Sequence, residues 1–164
     1  MAMMTPPDSE TISAGRPLTP AELAFVRAAR VGRLATVDAA SRPAVVPFCF
    51  AVLDGDEPVV VSVLDEKPKR VTDANLARVR NIQSNPAVSF VVDQYHEDWS
   101  RLVFVQVRGR ASVVEPGAGI HERALAALRD KYPQYESMAI EERPVIVIDD
   151  LRGHSWRGDG EPFG

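Results

Sequence analysis

Short apolar runs alternate with turn residues along most of the chain, and this pattern predicts β-strands. β-Branched residues dominate the runs, while Asp, Gly, Ser and Pro separate them. Six strands are predicted in this way, at residues 31–37, 44–53, 59–64, 87–94, 102–114 and 144–148. The first three follow one another through short turns, which favours an antiparallel meander. We expect Pro47 on an edge strand or at a bulge, and Gly109 at a bulge or bend.

Three segments have helical periodicity instead. The first begins with the capping box formed by Thr19 and Glu22, with Pro20 at the first helical position. The other two cover residues 72–84 and 120–132, and each is followed by a proline. Strands with helices inserted between them predict a mainly β fold, a small closed β-barrel with peripheral helices.

One domain accounts for nearly all of the chain. Its 164 residues suit a single core, which we assign to residues 18–158. Residues 1–17 are polar, contain Pro and Ser, and have no apolar periodicity, so they are predicted to form a flexible tail. Removal of this tail is expected to change stability little. Residues 159–164 are assigned to a short C-terminal tail.

Composition narrows the function classes. The net charge of −4 disfavours nucleic-acid binding, which usually needs a basic surface. Cys49 is the single cysteine, so a disulfide within the chain is impossible and a cytoplasmic location is expected. No apolar stretch is long enough to cross a bilayer, so no membrane association is predicted.

A cluster of cations follows the third predicted strand. Lys67, Lys69 and Arg70 lie between the apolar run and the helical segment that opens at Thr72. Backbone N–H groups and the positive dipole end favour an anion at a helix entry, and Lys and Arg add mobile charge. The cluster is therefore interpreted either as a phosphate site or as a solvated basic turn. No metal site is predicted, because the one polar group of metal-ligand type, at residues 96–98, lacks a second His or a Cys partner.

Several short motifs follow one another in a characteristic order along the chain. They are VGRLATVD (residues 31–38), RPAVVP (42–47), KPKR (67–70), RNI (80–82), NPAVS (85–89) and DWSRL (98–102). Together they resemble the split-barrel flavin-binding proteins related to pyridoxamine 5'-phosphate oxidase, and most of all the actinobacterial branch that uses the deazaflavin coenzyme F420. The resemblance implies a six-stranded antiparallel split β-barrel and a homodimer with two cofactor sites at the subunit interface.

The resemblance also assigns the candidate cofactor-binding residues. The ring of the cofactor is expected against two strands and its phosphate against the cations, while two residues approach from the partner subunit. These candidates are, in that order, Val45, Val46, Pro47, Phe48, Ser62 and Val63; Lys67, Lys69 and Arg70; and Trp99 and Arg101. Ser62 could bond either to the cofactor or to the backbone. Catalytic residues are not assigned, because a flavin or deazaflavin brings its own hydride chemistry.

Three functions are compatible with this resemblance. The first is an oxidoreductase that binds coenzyme F420 and transfers hydride to a small organic acceptor. The second is an FMN-binding flavoreductase or related oxidase, and the third is a cofactor-binding protein without turnover. The longer and more anionic F420 suits the cations at residues 67–70, with Arg78 and Arg80 beyond them, better than FMN does. Arg152 and His154 have the spacing of a substrate-holding Arg-x-His pair, but in a different local context, so they are assigned no role.

Overall fold

The computed structural model describes residues 15–64 and 73–163, with the backbone alone for residues 73–76. Its strands are β1 (Arg16–Pro17), β2 (Gly32–Val37), β3 (Pro43–Phe48), β4 (Ala51–Leu53), β5 (Val59–Val63), β6 (Ala87–Gln94), β7 (Val103–Val114) and β8 (Val145–Arg157). Its α-helices are α1 (Pro20–Ala28), α2 (Asp73–Ser84) and α3 (Gly119–Lys131), and short 3-10 helices span Trp99–Arg101 and Pro133–Ser137. None of these helices is long and apolar enough to span a membrane, as far as the described residues go.

The strands form one antiparallel sheet in the order β3-β2-β6-β7-β8-β5-β4, with β1 added beside β8. The mainly β split-barrel class with peripheral helices is confirmed. The predicted count of six is wrong, because the sheet has eight strands. Residues 44–53 form two strands, and Arg16–Pro17 adds another. The sheet does not close, since its end strands β3 and β4 are not hydrogen-bonded to each other.

Both hairpins of the predicted meander are present, but its middle strand is broken into β3 and β4, which lie at opposite ends of the sheet. Strand β2 pairs with β3 and β6, whereas β5 pairs with β4 and β8 at the other end of the sheet. The chain passes from one end strand to the other through only Cys49 and Phe50. The sheet must therefore curl until its two edges meet at this link. Phe48 and Phe50 are both buried in one hydrophobic cluster. The chain therefore turns from β3 into β4 around an interior that both strands share.

Proline and glycine mark the irregular points of the sheet. Pro43 and Pro47 both lie in β3, an edge strand, where a missing N–H leaves no gap in a ladder. A register shift between Arg108 and Arg110 confirms the bulge expected at Gly109. A Cβ at Gly109 would lie 2.5 Å from Ile148 Cγ2, so only glycine lets β8 approach this closely.

The interior of the curled sheet holds the first of two hydrophobic clusters. Phe48, Phe50 and Phe90 pack together there, with ring centroids between 5.1 and 5.7 Å apart. Helix α1 contributes Val26 and helix α2 contributes Ile82 to the same cluster. Both helices therefore close the interior of the sheet rather than cover its outer surface.

The second cluster lies on the outside of β4, β5 and the first part of β8, and we name it the covered face. Six outward side chains of these strands belong to it: Ala51, Leu53, Val61, Val63, Val145 and Val147. Helix α3 packs on them through Ala124, Leu125 and Leu128, of which Ala124 and Leu128 are completely buried. Tyr132 fastens the end of this helix, because its hydroxyl lies 2.9 Å from the carbonyl oxygens of both Arg30 and Phe50.

The end of the predicted N-terminal tail is part of the fold. Arg16 and Pro17 pair with Gly153 and Arg152 of β8. The Arg16 guanidinium binds both carboxylate oxygens of the completely buried Glu22, at 2.6 and 2.8 Å. The capping box at Thr19 is present as expected, but the buried ion pair was not foreseen. The boundary of any flexible tail therefore lies before Arg16.

Candidate functional site

The candidate site is the outer surface on the other side of β8 from helix α3, which we name the open face. Its residues alternate with interior residues along β3, β2, β6, β7 and the second part of β8. They are Val45, Pro47, Arg33, Ala35, Ser89, Val91, Asp93, Phe104, Gln106, Arg108, Arg152, His154 and Trp156. Val45 is 63% exposed and Trp156 is 47% exposed, although both are large apolar side chains. Large apolar side chains exposed together on one surface are a feature of interaction sites, which makes this face the candidate.

Aromatic side chains line one end of the open face. Phe104 and Trp156 are cross-strand partners with nearly parallel rings, whose centroids are 6.0 Å apart. His154 meets Phe104 edge-on at 5.9 Å. Flat side chains in this arrangement offer a platform on which a planar ligand can stack.

Cations lie beside the aromatic platform. Arg108 and Arg152 are cross-strand partners, and an open pocket of about 210 Å³ runs past them. Gln106, His154 and Arg16 also line this pocket. Further along the open face, Arg33 and Asp93 form an ion pair at 2.6 Å. Arg152 is likewise paired with Asp150, at 3.1 Å. The surface thus combines apolar area with guanidinium groups, which can form paired hydrogen bonds to the anionic group of a planar ligand.

The structure divides the predicted ring-binding residues into exposed and buried groups. Val45 and Pro47 are exposed on the open face, and Val46 is half-buried on the opposite side of β3. Phe48 belongs to the interior cluster, and Val63 belongs to the covered face under helix α3. The predicted slot therefore does not form as one surface of side chains, because the two strands turn their valines to different layers.

Ser62 bonds to the backbone, which was one of the two partners expected for it, the other being the cofactor. Its hydroxyl donates a hydrogen bond of 2.7 Å to the carbonyl oxygen of Cys49, and its side chain is buried. This bond ties β5 to the link between the two edges of the sheet. A cofactor contact at Ser62 or Val63 would have to use the backbone, since both side chains already pack inside the protein.

The predicted phosphate site lies outside the described residues. Lys67, Lys69 and Arg70 all fall between Leu64, where the description of the third predicted strand ends, and Asp73, where helix α2 begins. Helix α2 itself is held near the interior, since Asn81 Nδ2 donates a hydrogen bond of 3.1 Å to Thr36 Oγ1. The strand before the cations and the helix after them are thus both present as predicted.

Trp99 and Arg101 lie together in a 3-10 helix between β6 and β7. Trp99 is 69% exposed, the highest value among the large exposed apolar side chains of the described residues. The turn beneath it is well fixed, because Asp98 accepts hydrogen bonds from the backbone N and the hydroxyl of Ser100. These bonds hold the pKa of Asp98 below its usual range. The backbone here is therefore fixed by side-chain hydrogen bonds, while the Trp99 indole projects outward.

Phe104, Arg108 and Trp156 were not among the site residues predicted from the sequence. The alternation of Val103, Val105 and Val107 with polar and aromatic neighbours already carried the signal. What it could not show is which layer would remain uncovered, because that depends on where helix α3 packs. Arg152 and His154, which were assigned no role, also lie on the open face and line one pocket.

Comparison with solved structures supports the fold and spans most of the chain. A conserved hypothetical protein, Rv2991 from Mycobacterium tuberculosis, is 25% identical with a TM-score of 0.64, and the match covers 88% of each chain. The heme storage protein HutZ from Vibrio cholerae is 18% identical with a TM-score of 0.60, covering 87% of this chain and 95% of HutZ. An FAD-binding protein from Mesorhizobium loti is 22% identical with a TM-score of 0.57, covering 85% of this chain and 96% of that one.

Comparison with known sequences identifies the family. No curated protein matches the chain significantly. The family model described as pyridoxamine 5'-phosphate oxidase matches residues 18–157, which is nearly the whole segment predicted to be the domain. The same segment contains seven of the eight strands, β2 to β8, and both outer faces of the sheet. The chain therefore belongs to the pyridoxamine 5'-phosphate oxidase family.

Proposed function

We propose that this protein is a homodimeric oxidoreductase that binds a flavin or deazaflavin cofactor at the open face and transfers hydride to a small organic acceptor. Coenzyme F420 is the cofactor we favour, and FMN is the alternative. The observation that carries the proposal is the open face itself. It is a broad outer surface of the sheet with exposed aromatic, aliphatic and cationic side chains, whereas the covered face is sealed by a helix.

The described residues fit the ring of such a cofactor. Val45 and Ala35 are cross-strand partners that offer a flat apolar area, and Phe104 with Trp156 offers an aromatic one. Arg33, Arg108 and Arg152 place guanidinium groups around these areas, and Arg33 and Arg152 are ion-paired with Asp93 and Asp150. A planar, anionic cofactor needs all three of these features. The phosphate end is assigned to Lys67, Lys69 and Arg70, as the sequence motif suggests.

A second subunit would complete the site. Ligand sites are concave and bury most of the ligand, whereas the open face is one surface of a sheet. Two-fold symmetry would apply this surface to its own copy and create two equal sites. Trp99 and Arg101 would then reach the cofactor of the neighbouring subunit, which agrees with the high exposure of Trp99.

The hydride chemistry comes from the cofactor when it is bound, and the chain supplies binding, orientation and exclusion of water. Val45 and Phe104 would exclude water from the ring, and Trp156 would fix its plane by stacking. Arg108 and Arg152 would hold the acceptor if it carries an anionic group, because both guanidinium groups border the same pocket. His154, in that pocket, is within reach to exchange a proton with a bound acceptor.

F420 is preferred because of the charge of its tail. A phosphodiester and an oligoglutamate tail make it longer and more anionic than FMN. The cations at residues 67–70 precede helix α2, which carries the half-buried Arg78 and the exposed Arg80. A series of cations along the sequence from Lys67 to Arg80 suits a long anion better than a single phosphate.

A heme-binding protein without turnover is the second candidate. Its specific support is His154, an exposed imidazole beside Phe104 on the open face, since imidazole is a common heme ligand. HutZ, which has the same fold, is described as a heme storage protein. This candidate would use the open face for a planar ligand as well, but through a metal bond to the histidine.

The absorbance spectrum of the purified protein, alone and after addition of F420, FMN or heme, separates these functions. Quenching of F420 fluorescence and oxidation of the reduced coenzyme by added quinone or enone acceptors would support the proposal. Flavin bands that remain with the protein would favour FMN, and a Soret band lost in His154→Ala would favour heme. If none of the three ligands binds, the proposed function is wrong.

Substitution of the cations tests the anion site. Lys67→Ala or Arg70→Ala is expected to weaken cofactor binding by about 1.5–3 kcal/mol, the usual contribution of a hydrogen bond to a charged group. Arg123→Ala is a matched control, because Arg123 is an exposed cation on helix α3, which packs on the covered face. Binding curves that are identical for all three variants and the wild type would refute the phosphate assignment.

A further inference from the structure

The residues that follow strand β8 contact two distant parts of the fold. We name residues 158–163 the C-terminal strap and residues 98–102, which include the 3-10 helix after β6, the Trp99 turn. Most of the strap was predicted to be a short C-terminal tail. In the structure it contacts the Trp99 turn at one end and helix α1 at the other. The strap therefore joins two segments that are about seventy residues apart in the sequence.

The first end of the strap lies directly on the backbone of the Trp99 turn. The Gly158 N–H donates a hydrogen bond of 2.8 Å to the carbonyl oxygen of Leu102. The two backbones are so close that a Cβ at Gly158 would lie 1.8 Å from the carbonyl oxygen of Trp99. Glycine is the residue that permits such an approach. A displacement of the strap at this point must therefore displace the backbone of Trp99.

The other end of the strap is held by an aromatic contact. The ring of Phe163 meets the ring of Phe25, on helix α1, edge-on with a centroid distance of 5.5 Å. Both residues are half-buried and pack against the interior cluster. An edge-to-face pair is favourable in itself, and this one also removes apolar surface from water. Phe163 thus anchors the strap to helix α1.

The middle of the strap is a turn with exposed side chains. The Asp159 carboxylate accepts hydrogen bonds from the Arg157 guanidinium at 2.8 Å and from the backbone N of Glu161 at 3.0 Å. Glu161 and Pro162 are exposed and border an open pocket of about 230 Å³ beside helix α1 and β8. Because the middle borders open space, the contacts at the two ends determine where the strap lies.

We propose that the C-terminal strap is a positioning element for Trp99. The hydrogen bonds of Asp98 fix the Trp99 turn internally, whereas the strap fixes the whole turn against helix α1. Helix α1 is a firm support, because its Val26 is completely buried in the interior cluster. A side chain that binds a ligand must be held in one orientation by the residues around it. The strap supplies this support for the exposed indole of Trp99.

The consequence for binding rests on the proposed function, in which Trp99 reaches the cofactor of the neighbouring subunit. Gly158 and Phe163 then influence the cofactor without touching it. Their effect on cofactor affinity cannot exceed that of Trp99→Ala, since they act through the indole. The position of the Trp99 turn itself does not depend on any cofactor, so the two parts of the proposal can be tested separately.

Hydrogen exchange of backbone amides tests the position of the Trp99 turn without a cofactor. The amides of Arg101 and Leu102 donate hydrogen bonds within this turn. In Phe163→Ala and in Gly158→Ala, we expect both amides to exchange about tenfold faster than in the wild type, because the turn opens more often once an anchor is lost. Helix α3 is the internal reference, since its amides should keep their wild-type rates. Unchanged exchange of the turn in both variants would overturn the proposal.

Two further substitutions in the strap serve as matched controls. Phe163→Leu keeps an apolar contact with helix α1 and should recover most of the protection that Phe163→Ala loses. Glu161→Ala alters an exposed side chain of the same strap and should leave exchange at the wild-type rate. If Glu161→Ala accelerated exchange as much as Phe163→Ala does, the aromatic anchor would not be the cause and the proposal would fail.

A double-mutant cycle tests whether the strap acts on binding through Trp99. Phe163→Ala is expected to weaken binding of F420 or FMN about fivefold in the wild type and to have no further effect in Trp99→Ala. Equal losses in both backgrounds would overturn positioning through the indole. If exchange responds as expected but neither cofactor binds, or Trp99→Ala leaves the affinity unchanged, the proposed function is wrong while the strap still positions the turn.

Discussion

The covered face and the open face are two outer surfaces of the same sheet, yet they differ in composition. All six outward residues of the covered face are aliphatic, and helix α3 buries them. The open face has aliphatic, aromatic and charged residues side by side, as at Val45, Trp156 and Arg108. A surface that always packs on its own chain can be purely apolar. A mixture enriched in aromatic residues and Arg is characteristic of a surface that binds another molecule.

Strand β8 is the boundary between the two faces. Its first part pairs with β5, and its second part pairs with β1. Between them, Ile148 and Leu151 both point into the interior cluster although they are three residues apart. Asp150, with a φ of 49°, absorbs this break in the alternation. The shift lets one continuous strand serve both a buried layer and a binding surface.

The largest difference is expected when the same charge is placed on each face. Val61→Asp puts a carboxylate under helix α3 where the native side chain is completely buried, and should cost about 4 kcal/mol or more. Val45→Asp changes an exposed residue and should leave the fold of the subunit intact. Urea denaturation of both variants measures the difference. Equal destabilisation would show that the open face is packed in the subunit.

A smaller contrast is expected for truncation of one large side chain on each face. Leu128→Ala removes a completely buried side chain from helix α3 and should cost about 3 kcal/mol. Trp156→Ala removes a half-exposed indole and should cost less in a monomer, in spite of its larger size. Thermal unfolding at low protein concentration tests this ranking. A Trp156→Ala cost as large as that of Leu128→Ala would contradict it.

The boundary strand gives the third prediction. Deletion of residues 1–14 keeps Arg16, whereas deletion of residues 1–16 leaves the buried Glu22 carboxylate without its cation. The longer deletion should cost about 2–3 kcal/mol more than the shorter one, because an uncompensated buried charge is unfavourable. This replaces the sequence-based expectation that the whole tail is dispensable. Equal unfolding midpoints for the two truncated chains would mean that Arg16 contributes nothing.

The same pair predicts a dependence on pH. The hydrogen bonds from Arg16, and then those from Ser155 and Thr19, lower the pKa of Glu22 from 4.5 to about 2. Its stabilising contribution is therefore complete above pH 4.5 and is lost as the pH falls through about 2. The free energy of unfolding should fall by about 3 kcal/mol over this range on account of Glu22 alone. Glu22→Gln should remove that part of the acid dependence.

The smallest effect on stability is expected for substitution of Trp99, which should weaken cofactor binding instead. Because its indole is 69% exposed, Trp99→Ala should leave the unfolding midpoint nearly unchanged. In the proposed dimer the indole packs on a neighbouring site, so cofactor affinity should fall by about 1–2 kcal/mol. Tyr95→Ala, which alters another exposed aromatic residue in the same loop region, serves as the control. If Trp99→Ala lowered the unfolding midpoint and left the cofactor affinity unchanged, Trp99 would be a structural residue and not part of a neighbouring site.

Local signals in the sequence were sufficient for most of the strands and for the helix that Thr19 caps. Alternation, turn residues and capping depend on neighbouring positions, and these positions are visible in the sequence. The order of the strands depends on contacts between distant residues, such as the pairing of β5 with β8. Residues 44–53 read as one apolar run, because nothing local indicates that Cys49 and Phe50 cross between the edges of the sheet.

The site was predictable only in part, for the same reason. Val45 and Trp99 are exposed, which suits the roles implied by the family resemblance. Val63 has the same composition and strand context as Val45, yet it is buried because helix α3 covers that part of the sheet. The choice between a packed valine and a ligand-facing one is made by a helix more than fifty residues further along the chain.

In the proposed dimer the open face binds its own copy and a cofactor together. Light scattering combined with F420 and FMN titrations, over a wide range of protein concentrations, measures both interactions at once. We expect a wild-type dimer with two cofactors per dimer, an affinity that falls on dilution to monomer, and a folded Val45→Asp monomer with at least about tenfold weaker binding. A wild-type monomer that binds either cofactor as tightly as the concentrated protein does would refute the shared site.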